Sequence, residues 1–512
     1  MSWPDLAELS HHALDWLTTL FVFAIGVGVL AIVWMYVADR FQTRSTIRRN
    51  FPVIGRFRFL FEHLGEFFRQ YFFAMDREEL PFNRAQRNWA YRAAKNVDNT
   101  VAFGSTRNIH ATGSVLFLNC PYPTLDEDAR AAAPLQFGPY CREPYSTASF
   151  INISGMSFGA LSAPAVRALS RGARRAGCWM NTGEGGLSPY HLEGGCDLVF
   201  QIGTAKYGVR DMDGQLSDER LREIAAHPQV RMFEIKLSQG AKPGKGGILP
   251  AVKVSKEIAR IRGIRAGHDS ISPNRHPELH DEADLLDLIV RIRDVTGKPV
   301  GLKLVIGSSD WLARFTAEIH RRGIESAPDF ITVDGAEGGT GAAPQPLIDM
   351  VGLPLREALP LLVDALQASG LRDRIRVIAS GKLMVPGQAA WALCLGADVV
   401  VTARGFMFAL GCIQALQCNR NTCPTGVTTH DPRLQRGLVP ADKAVRVASY
   451  HRNLSHEIEV IAHSCGVASP RLLARHHARE VQENGRSVPL DVLFPPPAAG
   501  ALPLGSGGRP GP

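Results

Sequence analysis

The sequence predicts an α/β protein whose main domain is a closed (β/α)8 barrel, preceded by an N-terminal transmembrane helix and a helical or irregular extension. From about Ser149, short β-rich apolar runs alternate with longer helical patterns over roughly 270 residues, which indicates a parallel sheet. A segment of this length favours a closed barrel. An open doubly wound sheet is the alternative, but no G-x-G-x-x-G motif follows a first strand.

The alternating runs define the individual elements of a barrel domain that we place at residues 149–480. Candidate strands are Phe150–Ile153, Cys178–Asn181, Met232–Lys236, Pro299–Val305, Phe330–Val333, Ile375–Ala379 and Asp398–Thr402. The helical patterns between them are Ala163–Ala176, Ala283–Thr296, Asp310–Arg322 and Leu355–Ala368.

Residues 1–45 are predicted to anchor the chain in the inner or cytoplasmic membrane by a single span. Trp16–Val37 is a run of 22 residues without charge, long enough to cross a bilayer core of about 30 Å. A buried core helix is one alternative. A cleaved signal peptide is another, but it would have a basic start and a shorter apolar run. Acidic residues precede the run and arginines follow it, so the barrel is expected in the cytoplasm.

The formal net charge of +8 is compatible with either nucleic acid or a membrane surface as a partner. Much of the basic excess lies between Arg40 and Arg107, beside the hydrophobic segment. This placement favours the membrane and argues against nucleic acid.

Residues 46–148 form a predicted juxtamembrane and N-terminal extension. Phe51–Phe73 contains eight phenylalanines interleaved with charged residues, which prevent it from spanning a membrane. Two placements stay open: an amphipathic segment on the membrane surface, or a helix packed on the barrel. At the other end, residues 481–512 are predicted to be a Pro/Gly-rich tail, disordered from about Pro495.

Glycine-rich loops follow the predicted strands at their carboxyl ends, where barrels carry their functional residues. Bare N–H groups in such loops, late in a barrel, can form a cradle for the phosphate of a ligand. Tight βα turns that need glycine for geometry alone are the alternative. The candidate binding residues in these loops are Met156, Ser157, Thr182, Gly338, Gly339, Thr340, Gly381, Lys382, Arg404 and Gly405.

Three lysines point to anionic ligands. Lys236 ends a predicted strand, and Lys242 lies in the Gly-rich loop that follows it. Converging cations suit a dianionic substrate such as a dicarboxylate, whereas isolated lysines are ordinarily solvated. Lys303 lies inside an apolar strand and needs a partner there. In flavin barrels such a lysine lies beside the N1/O2 edge of the ring.

The spacing Cys412-x5-Cys418-x4-Cys423-Pro424 indicates an iron–sulfur cluster, because such clusters are held by cysteine thiolates. Three local ligands suggest a three-iron cluster, or a four-iron cluster with a distant fourth ligand. Zinc is the competitor, although its paired C-x2-C spacing is absent. The other six cysteines of the nine are interpreted as small packing residues.

Several motifs occur in the order found in the central FMN-binding domain of glutamate synthase, and from about Ile151 to Thr429 the chain resembles that domain. The motifs are Met156–Ser162, Gly183–Gly186, Gln239–Gly244, Ile271–Pro273, Gly338–Ala342 and Gly411–Pro424. The resemblance implies FMN in the barrel and a [3Fe-4S] cluster on Cys412, Cys418 and Cys423. It also implies reduction of 2-iminoglutarate, made from 2-oxoglutarate and ammonia, to L-glutamate.

The resemblance further assigns roles to individual residues. Lys236, Gln239, Lys242 and Arg262 would face the dicarboxylate and the flavin, with Glu184 near the substrate. Thr182, Gln201 and Lys303 would contact the flavin. Electrons would come from an external donor, either ferredoxin-like or a separate reductase.

The chain also departs from the large subunit of glutamate synthase, and it resembles the shorter FMN-binding glutamate synthase family proteins. Its first cysteine is Cys120, where the large subunit starts with a catalytic cysteine, so no glutaminase activity is expected. Asn274–His276 and Lys245 differ from the family pattern. Two other functions stay open: an FMN barrel oxidoreductase acting on another 2-oxo acid, 2-hydroxy acid or amine, and a membrane electron-transfer module.

Overall fold

The computed structural model describes residues 3–497, and side-chain environments from Ser10 onward. The chain divides into two compact units between Ala85 and Gln86. In chain order, the strands are β1 (Val115–Phe117), β2 (Leu135–Phe137), β3 (Tyr145–Thr147), β4 (Ile151–Ile153), β5 (Met180–Asn181), β6 (Leu198–Ile202), β7 (Val230–Lys236), β8 (Ile248–Leu249), β9 (Ser270–Ile271), β10 (Val300–Leu304), β11 (Phe330–Asp334), β12 (Arg376–Ser380), β13 (Val399–Thr402), β14 (Ala478–Val481) and β15 (Ser487–Pro489).

The helices fall mostly between and around these strands. In chain order they are α1 (Trp3–Phe41), α2 (Thr46–Asn50), α3 (Ile54–Phe68), α4 (Arg84–Ala94), α5 (Ala163–Ala176), α6 (Pro189–Leu192), α7 (Asp218–Ala225), α8 (Lys256–Arg262), α9 (Glu282–Thr296), α10 (Ser309–Arg322), α11 (Gln345–Met350), α12 (Leu355–Ala368), α13 (Pro386–Cys394), α14 (Arg404–Leu410), α15 (Pro432–Gln435), α16 (Pro440–Ser464) and α17 (Leu490–Leu493).

The central sheet is a closed barrel of eight parallel strands, which confirms the predicted fold class. The strands follow one another in the order β4, β5, β6, β7, β10, β11, β12 and β13. The barrel closes where β13 pairs with β4, with Val400 opposite Ile151. The open doubly wound sheet is therefore excluded.

The predicted elements lie close to their predicted positions, but several further elements were not predicted. Helices α5 and α12 have the predicted bounds, and α9 and α10 begin one residue earlier than predicted. Strand β6 was not predicted, because the single-turn helix α6 precedes it instead of a long amphipathic helix. The 25-residue helix α16 was also missed.

Helix α16 packs against α5 and supports the barrel wall. A Cβ on Gly172 of α5 would lie 2.4 Å from the Val447 side chain of α16, so the two helices approach closely only because Gly172 has none. The buried Tyr450 hydroxyl of α16 donates to the carbonyl of Met384 at 2.7 Å. His451 Nε2 lies 2.9 Å from the carbonyl oxygen of Ile151 in β4.

The amino-terminal end of the barrel is closed by aromatic side chains from the β2–β3 hairpin. The ring of Phe137 lies 5.7 Å from Trp179 and 5.8 Å from Phe330, both at the start of barrel strands. Near this end, the buried Asp329 carboxylate accepts from Arg293 at 3.2 Å and from Arg374 at 2.9 Å. The ligand site is therefore confined to the opposite, carboxyl end.

The borders of the barrel unit differ from the predicted ones. The compact unit that contains the barrel begins at Gln86 instead of residue 149. Strand β1 from the extension pairs with β14, which pairs in turn with β15. Residues 481–493 thus carry a strand and a short helix, so regular structure continues into the segment predicted as a tail. Of that predicted tail, residues 498–512 lie outside the described residues.

The first unit contains one helix, Ser10–Phe41 of α1, that is long and apolar enough to cross a membrane, judged by length and composition within the described chain. Its side chains are almost all exposed. These features are compatible with the predicted anchor.

Candidate functional site

The predicted site residues lie at the carboxyl end of the barrel. Because all eight barrel strands are parallel, their carboxyl ends and the loops after them meet at one mouth. The loops that follow β4, β5, β7, β11, β12 and β13 carry the predicted candidates, and Gln201 and Lys303 lie within β6 and β10.

A buried carboxylate, Glu234 of β7, organises the polar interior below this mouth. Its Oε2 atom accepts from Asn181 Nδ2 at 2.8 Å and from Gln201 Nε2 at 2.6 Å. Its Oε1 atom accepts from the Thr332 hydroxyl at 2.7 Å. These bonds satisfy a charge that would otherwise be costly to bury. They also fix the orientation of Gln201, one of the predicted flavin contacts.

Lys303 has the partner that its place in an apolar strand requires. Its Nζ atom lies 3.5 Å from Asp334 Oδ2 at the end of β11. Burial works against its charge, but the carboxylates of Asp334 and Glu234 outweigh burial and raise the pKa of Lys303. Asp334 also accepts from the Gly240 N–H at 2.9 Å. This hydrogen bond connects the loop after β7 to β11.

Glu184 and Lys236 form an ion pair at the mouth, with Lys236 Nζ 2.8 Å from Glu184 Oε1. Lys236 also donates to the Gln239 side chain. Burial alone would raise the pKa of Glu184, but the positive charges of Lys236, Lys242 and Arg262 lower that pKa to about 2. The carboxylate is therefore ionised at neutral pH.

Lys242 and Arg262 complete a cation cluster with Lys236. Both are nearly inaccessible to solvent, at 6% and 5% exposure. Burial and the charge of Lys236 lower the pKa of Lys242 to about 8, against the opposing effect of Glu184. Arg262 donates to the Ser270 hydroxyl at 3.2 Å and lies over the Tyr207 ring at 5.2 Å, while its Nε atom has no hydrogen-bond partner.

The charges of this cluster do not balance. Three cations act on the carboxylate of Glu184, and these four groups together carry a surplus of two positive charges when all are ionised. A buried surplus of this size is unfavourable unless an anion occupies the site.

The predicted loops after β11 and β13 are brought together by Arg404. Its Nη2 atom donates to the Thr340 carbonyl at 2.6 Å, and a Cβ on Gly339 would lie 3.1 Å from its Nε atom. Gln239 Nε2 donates to the Gly339 carbonyl at 3.3 Å. The predicted residues Gly338, Gly339, Thr340 and Arg404 therefore belong to one connected group.

Close packing explains why two of the predicted residues are glycine. A Cβ on Gly405 would lie 2.0 Å from the Tyr450 hydroxyl. Gly381 has φ +135°, a conformation that favours glycine, and its Cβ would lie 3.1 Å from the Gly335 nitrogen. Lys382, beside Gly381, is half-buried, and burial lowers its pKa against the pull of Glu337 and Asp349.

The loop after β4 closes over the barrel interior. Met156 is buried, and its N–H donates to the Asn181 carbonyl at 3.4 Å. The Thr182 hydroxyl accepts from the Gln201 N–H at 3.1 Å. A Cβ on Gly155 would lie 3.0 Å from both Asn181 Oδ1 and Gln201 Nε2, so the backbone between β4 and Ser157 approaches the polar interior closely.

The cysteine loop, residues 412–424, follows α14 and lies beside the same mouth. Arg404 Nη1 is 4.0 Å from Cys418 Sγ. The buried Lys253 donates to the carbonyls of Ala160 at 2.8 Å and Cys418 at 3.3 Å, which links this loop to the loop after β4. Within the described residues, no three His, Cys, Asp or Glu side chains are arranged to hold a metal ion.

The backbone of the cysteine loop nonetheless adopts strained conformations, which a bound group can stabilise. Three of its non-glycine residues, Gln414, Leu416 and Asn421, have φ between +55° and +61°, and such conformations cluster at ligand sites. Burial raises the pKa of Cys412 to about 11 although Arg404 opposes it. Burial acts the same way on Cys423, but hydrogen bonds from Thr425 and Thr428 outweigh it and lower the pKa of that thiol.

Sequence reasoning missed Glu234, Asp334, Asn181 and Lys253. The one available signal was a charged or polar side chain inside or next to an apolar run, as for Glu234 in Met232–Lys236. That signal was used for Lys303 alone.

Replacing Lys242 with Met is expected to stabilise the ligand-free protein. The folded-state pKa is about 8 and the unfolded value is about 10.4, so the unfolded state binds more protons between these values. Stability therefore rises with pH across that window, and the cost of charging Lys242 is fully present below pH 8. We expect Lys242→Met to raise the free energy of unfolding at pH 7 by about 1–3 kcal/mol, measured by urea denaturation.

The exposed Lys245 in the same loop is the matched control, and Lys245→Met is expected to change stability by less than about 0.5 kcal/mol. A loss of stability in Lys242→Met would show that its charge is compensated in the folded protein.

Comparison with known proteins agrees with this arrangement. A model of the conserved region in glutamate synthase matches residues 128–468. The glutamate synthase large subunit-like protein YerD of Bacillus subtilis (strain 168) is 39% identical over 517 residues, covering 93% of this chain and 98% of that protein. The archaeal-type glutamate synthase (NADPH) of Thermotoga sp. (strain RQ2) is 34% identical over 319 residues, covering 62% of this chain and 59% of that protein. The chain therefore belongs to the glutamate synthase family.

Proposed function

We propose that this chain is an FMN-dependent oxidoreductase that reduces 2-iminoglutarate, formed from 2-oxoglutarate and ammonia, to L-glutamate. The observation that carries the proposal is the surplus of two positive charges at Lys236, Lys242 and Arg262 around Glu184. A dicarboxylate such as 2-oxoglutarate supplies two negative charges and neutralises this surplus. Family membership supports the same substrate class.

The residues at the mouth are suited to binding a dicarboxylate in a fixed orientation. Lysine and arginine form charge-assisted hydrogen bonds to carboxylates, and these are stronger when water is excluded. Lys236 is fixed by Glu184, and Arg262 by Ser270 and the Tyr207 ring. Lys236 and Arg262 are thus held in place before the substrate binds, so little of their side-chain entropy is lost on binding.

The polar interior of the barrel is suited to FMN. Thr182, Gln201 and Lys303 offer hydroxyl, amide and ammonium groups within the barrel interior below the mouth. The backbone at Gly339, Thr340 and Gly381, together with Arg404 and Lys382, would offer N–H groups and positive charge for one phosphate, and Gly338, whose N–H donates to the Gly335 carbonyl at 2.8 Å, would shape the loop. Gly155 lets the backbone approach Asn181 and Gln201 closely, since a Cβ there would lie 3.0 Å from both side chains. Met156, Ser157 and Gly405 belong to the same proposed site.

When bound, the flavin would supply the hydride for the reduction. The chain's own residues would bind, orient and protonate the substrate. The imine nitrogen must also gain a proton as the carbon is reduced. Lys242, with a pKa of about 8, can hold a proton at Nζ near neutral pH and release it. Gln239, which contacts both Lys236 and the Gly339 carbonyl, would position the substrate between the cations and the flavin.

We further propose that Cys412, Cys418 and Cys423 hold a [3Fe-4S] cluster that receives electrons from an external donor, either ferredoxin-like or a separate reductase. The support is the cysteine spacing, the strained loop, and the placement of Arg404 and Lys253 beside the thiols. Positive charges near a cluster favour its reduced, more negative form. We also propose that α1 anchors the protein in the cytoplasmic membrane with the barrel in the cytoplasm.

Anaerobic titration of the reduced protein with 2-oxoglutarate and ammonium tests the proposed reaction. We expect flavin reoxidation, followed by its absorbance, only when both compounds are present. In Lys242→Met the 2-oxoglutarate concentration for half-maximal rate should rise about 10- to 100-fold, because one charge-assisted bond is lost. In the native protein this concentration should rise above pH 8, because Lys242, with a pKa of about 8, loses its charge there.

Lys245→Met, in the same loop but exposed, should leave the titration unchanged. Reoxidation by another 2-oxo acid or by an amine in place of 2-oxoglutarate and ammonium would contradict the substrate assignment while leaving the flavin assignment intact.

Replacing any one of Cys412, Cys418 and Cys423 by Ser should abolish the cluster. A hydroxyl of high pKa is a much poorer ligand for iron than a thiolate. Iron and acid-labile sulfide, measured chemically, should both be lost, while flavin content is retained because none of the three cysteines is a proposed flavin contact. Cys394 and Cys465 are buried thiols outside this spacing, and their Ser variants should keep full iron. Full iron and sulfide in the triple variant would show that the metal assignment is wrong.

A further inference from the structure

A single buried carboxylate organises the first compact unit. Asp39, in the last turn of α1, is fully buried, although the helix around it is exposed. Its two oxygens accept from the guanidinium groups of Arg48 and Arg56, with distances from 2.6 to 2.9 Å. Oδ2 also accepts from the Val53 N–H at 3.1 Å. The carboxylate is thus saturated by donors from α2, from α3 and from the turn between them.

The turn that places these donors is held in an unfavourable conformation. Val53 has φ +65°, and a β-branched residue there is an outlier that only surrounding contacts can maintain. Gly55 allows the close packing of α2 and α3, since a Cβ there would lie 3.1 Å from the Ile47 carbonyl oxygen. The start of α3 is therefore pinned to the end of α1.

Helix α3 and the π-helical turn after it, Arg69–Phe73, carry a row of exposed aromatic side chains. Phe57, Phe61, Phe68 and Phe72, which we call the Phe stripe, recur at helical spacing and are 45–75% exposed. The rings pair along the helix, with centroids 6.4 Å apart for Phe57–Phe61 and 5.6 Å apart for Phe68–Phe72. An apolar row of this size marks an interaction surface.

The position of Asp39 along α1 indicates at which depth of a membrane the Phe stripe begins. Asp39 lies two residues, about 3 Å of helix rise, beyond the end of the uncharged run at Val37. If α1 spans the bilayer, as proposed above, Asp39 lies where the hydrocarbon core ends. Arg56, in the first turn of α3, lies one side-chain length from that level. The Phe stripe then starts at the membrane–water interface, where aromatic residues are favoured.

We propose that the Phe stripe lies in the interfacial layer of the same bilayer that α1 crosses, and that Asp39, Arg48 and Arg56 hold it at that depth. The partner is a lipid surface. Arg44 and Arg49, both exposed at the same end of α1, suit anionic headgroups. This inference rests on the proposed membrane anchor and adds a second, interfacial contact to it.

Site-specific photocrosslinking of the full-length protein tests this placement. p-Benzoylphenylalanine is introduced in place of Phe61 or of Phe72, and the protein is reconstituted in vesicles of phosphatidylcholine and phosphatidylglycerol. We expect lipid adducts at both positions, detected by mass spectrometry of the labelled peptides. The same probe in place of Leu30, inside α1, reports whether that helix lies in the bilayer. The probe in place of the exposed Phe103 measures the background of lipid labelling.

The outcomes separate the two claims. Lipid adducts at Leu30, with only background at Phe61 and Phe72, would overturn the interfacial placement and leave the anchor intact. Background at Leu30 would refute the anchor and the inference together. Protein–protein adducts at Phe61 or Phe72, within one chain or between two copies, would also overturn the proposal, because the stripe would then contact protein.

Discussion

The 2.8 Å ion pair between Lys236 and Glu184 is the contact on which the chemistry of the mouth depends. It fixes one cation and leaves Lys242 and Arg262 buried without a second carboxylate among the groups that shift the pKa of Glu184. A site with this imbalance is unfavourable when empty and becomes favourable when a dianion binds. The same charges therefore reduce the stability of the free protein and provide the affinity for the proposed substrate, as is common at functional sites.

The charge imbalance at the mouth is separated from the rest of the core because the two ends of the barrel are built differently. At the amino-terminal end, aromatic rings around Phe137 close the barrel, and the buried Asp329 carboxylate pairs with Arg293 and Arg374. At the carboxyl end, Glu234 and Asp334 support Gln201 and Lys303 through hydrogen bonds from neighbouring strands. The polar interior below the mouth is thus satisfied by the protein itself, and the cations at the mouth stay available for a ligand.

The sequence pattern was sufficient for the barrel but not for the contacts inside it. The bounds of α5 and α12 were predicted because their apolar spacing and flanking residues mark them locally. Strand β6 lacked the long preceding helix that marks the other strands. That Lys303 needs a partner followed from its apolar strand, yet Asp334 could be named only once β10 and β11 were seen to pair. Lys253 joins loops that are about 90 and 165 residues away in the chain, a relation that no local pattern contains.

The central claim is that one barrel mouth holds a flavin mononucleotide beside a cluster that binds a dianion. Acid release and mass spectrometry of the flavin from purified protein tests it most directly. The predicted result is FMN, close to one per chain, because the loops at Gly338, Gly381 and Arg404 form the proposed site for one phosphate and no dinucleotide motif follows a first strand. FAD, or no flavin even after reconstitution with FMN, would contradict the account.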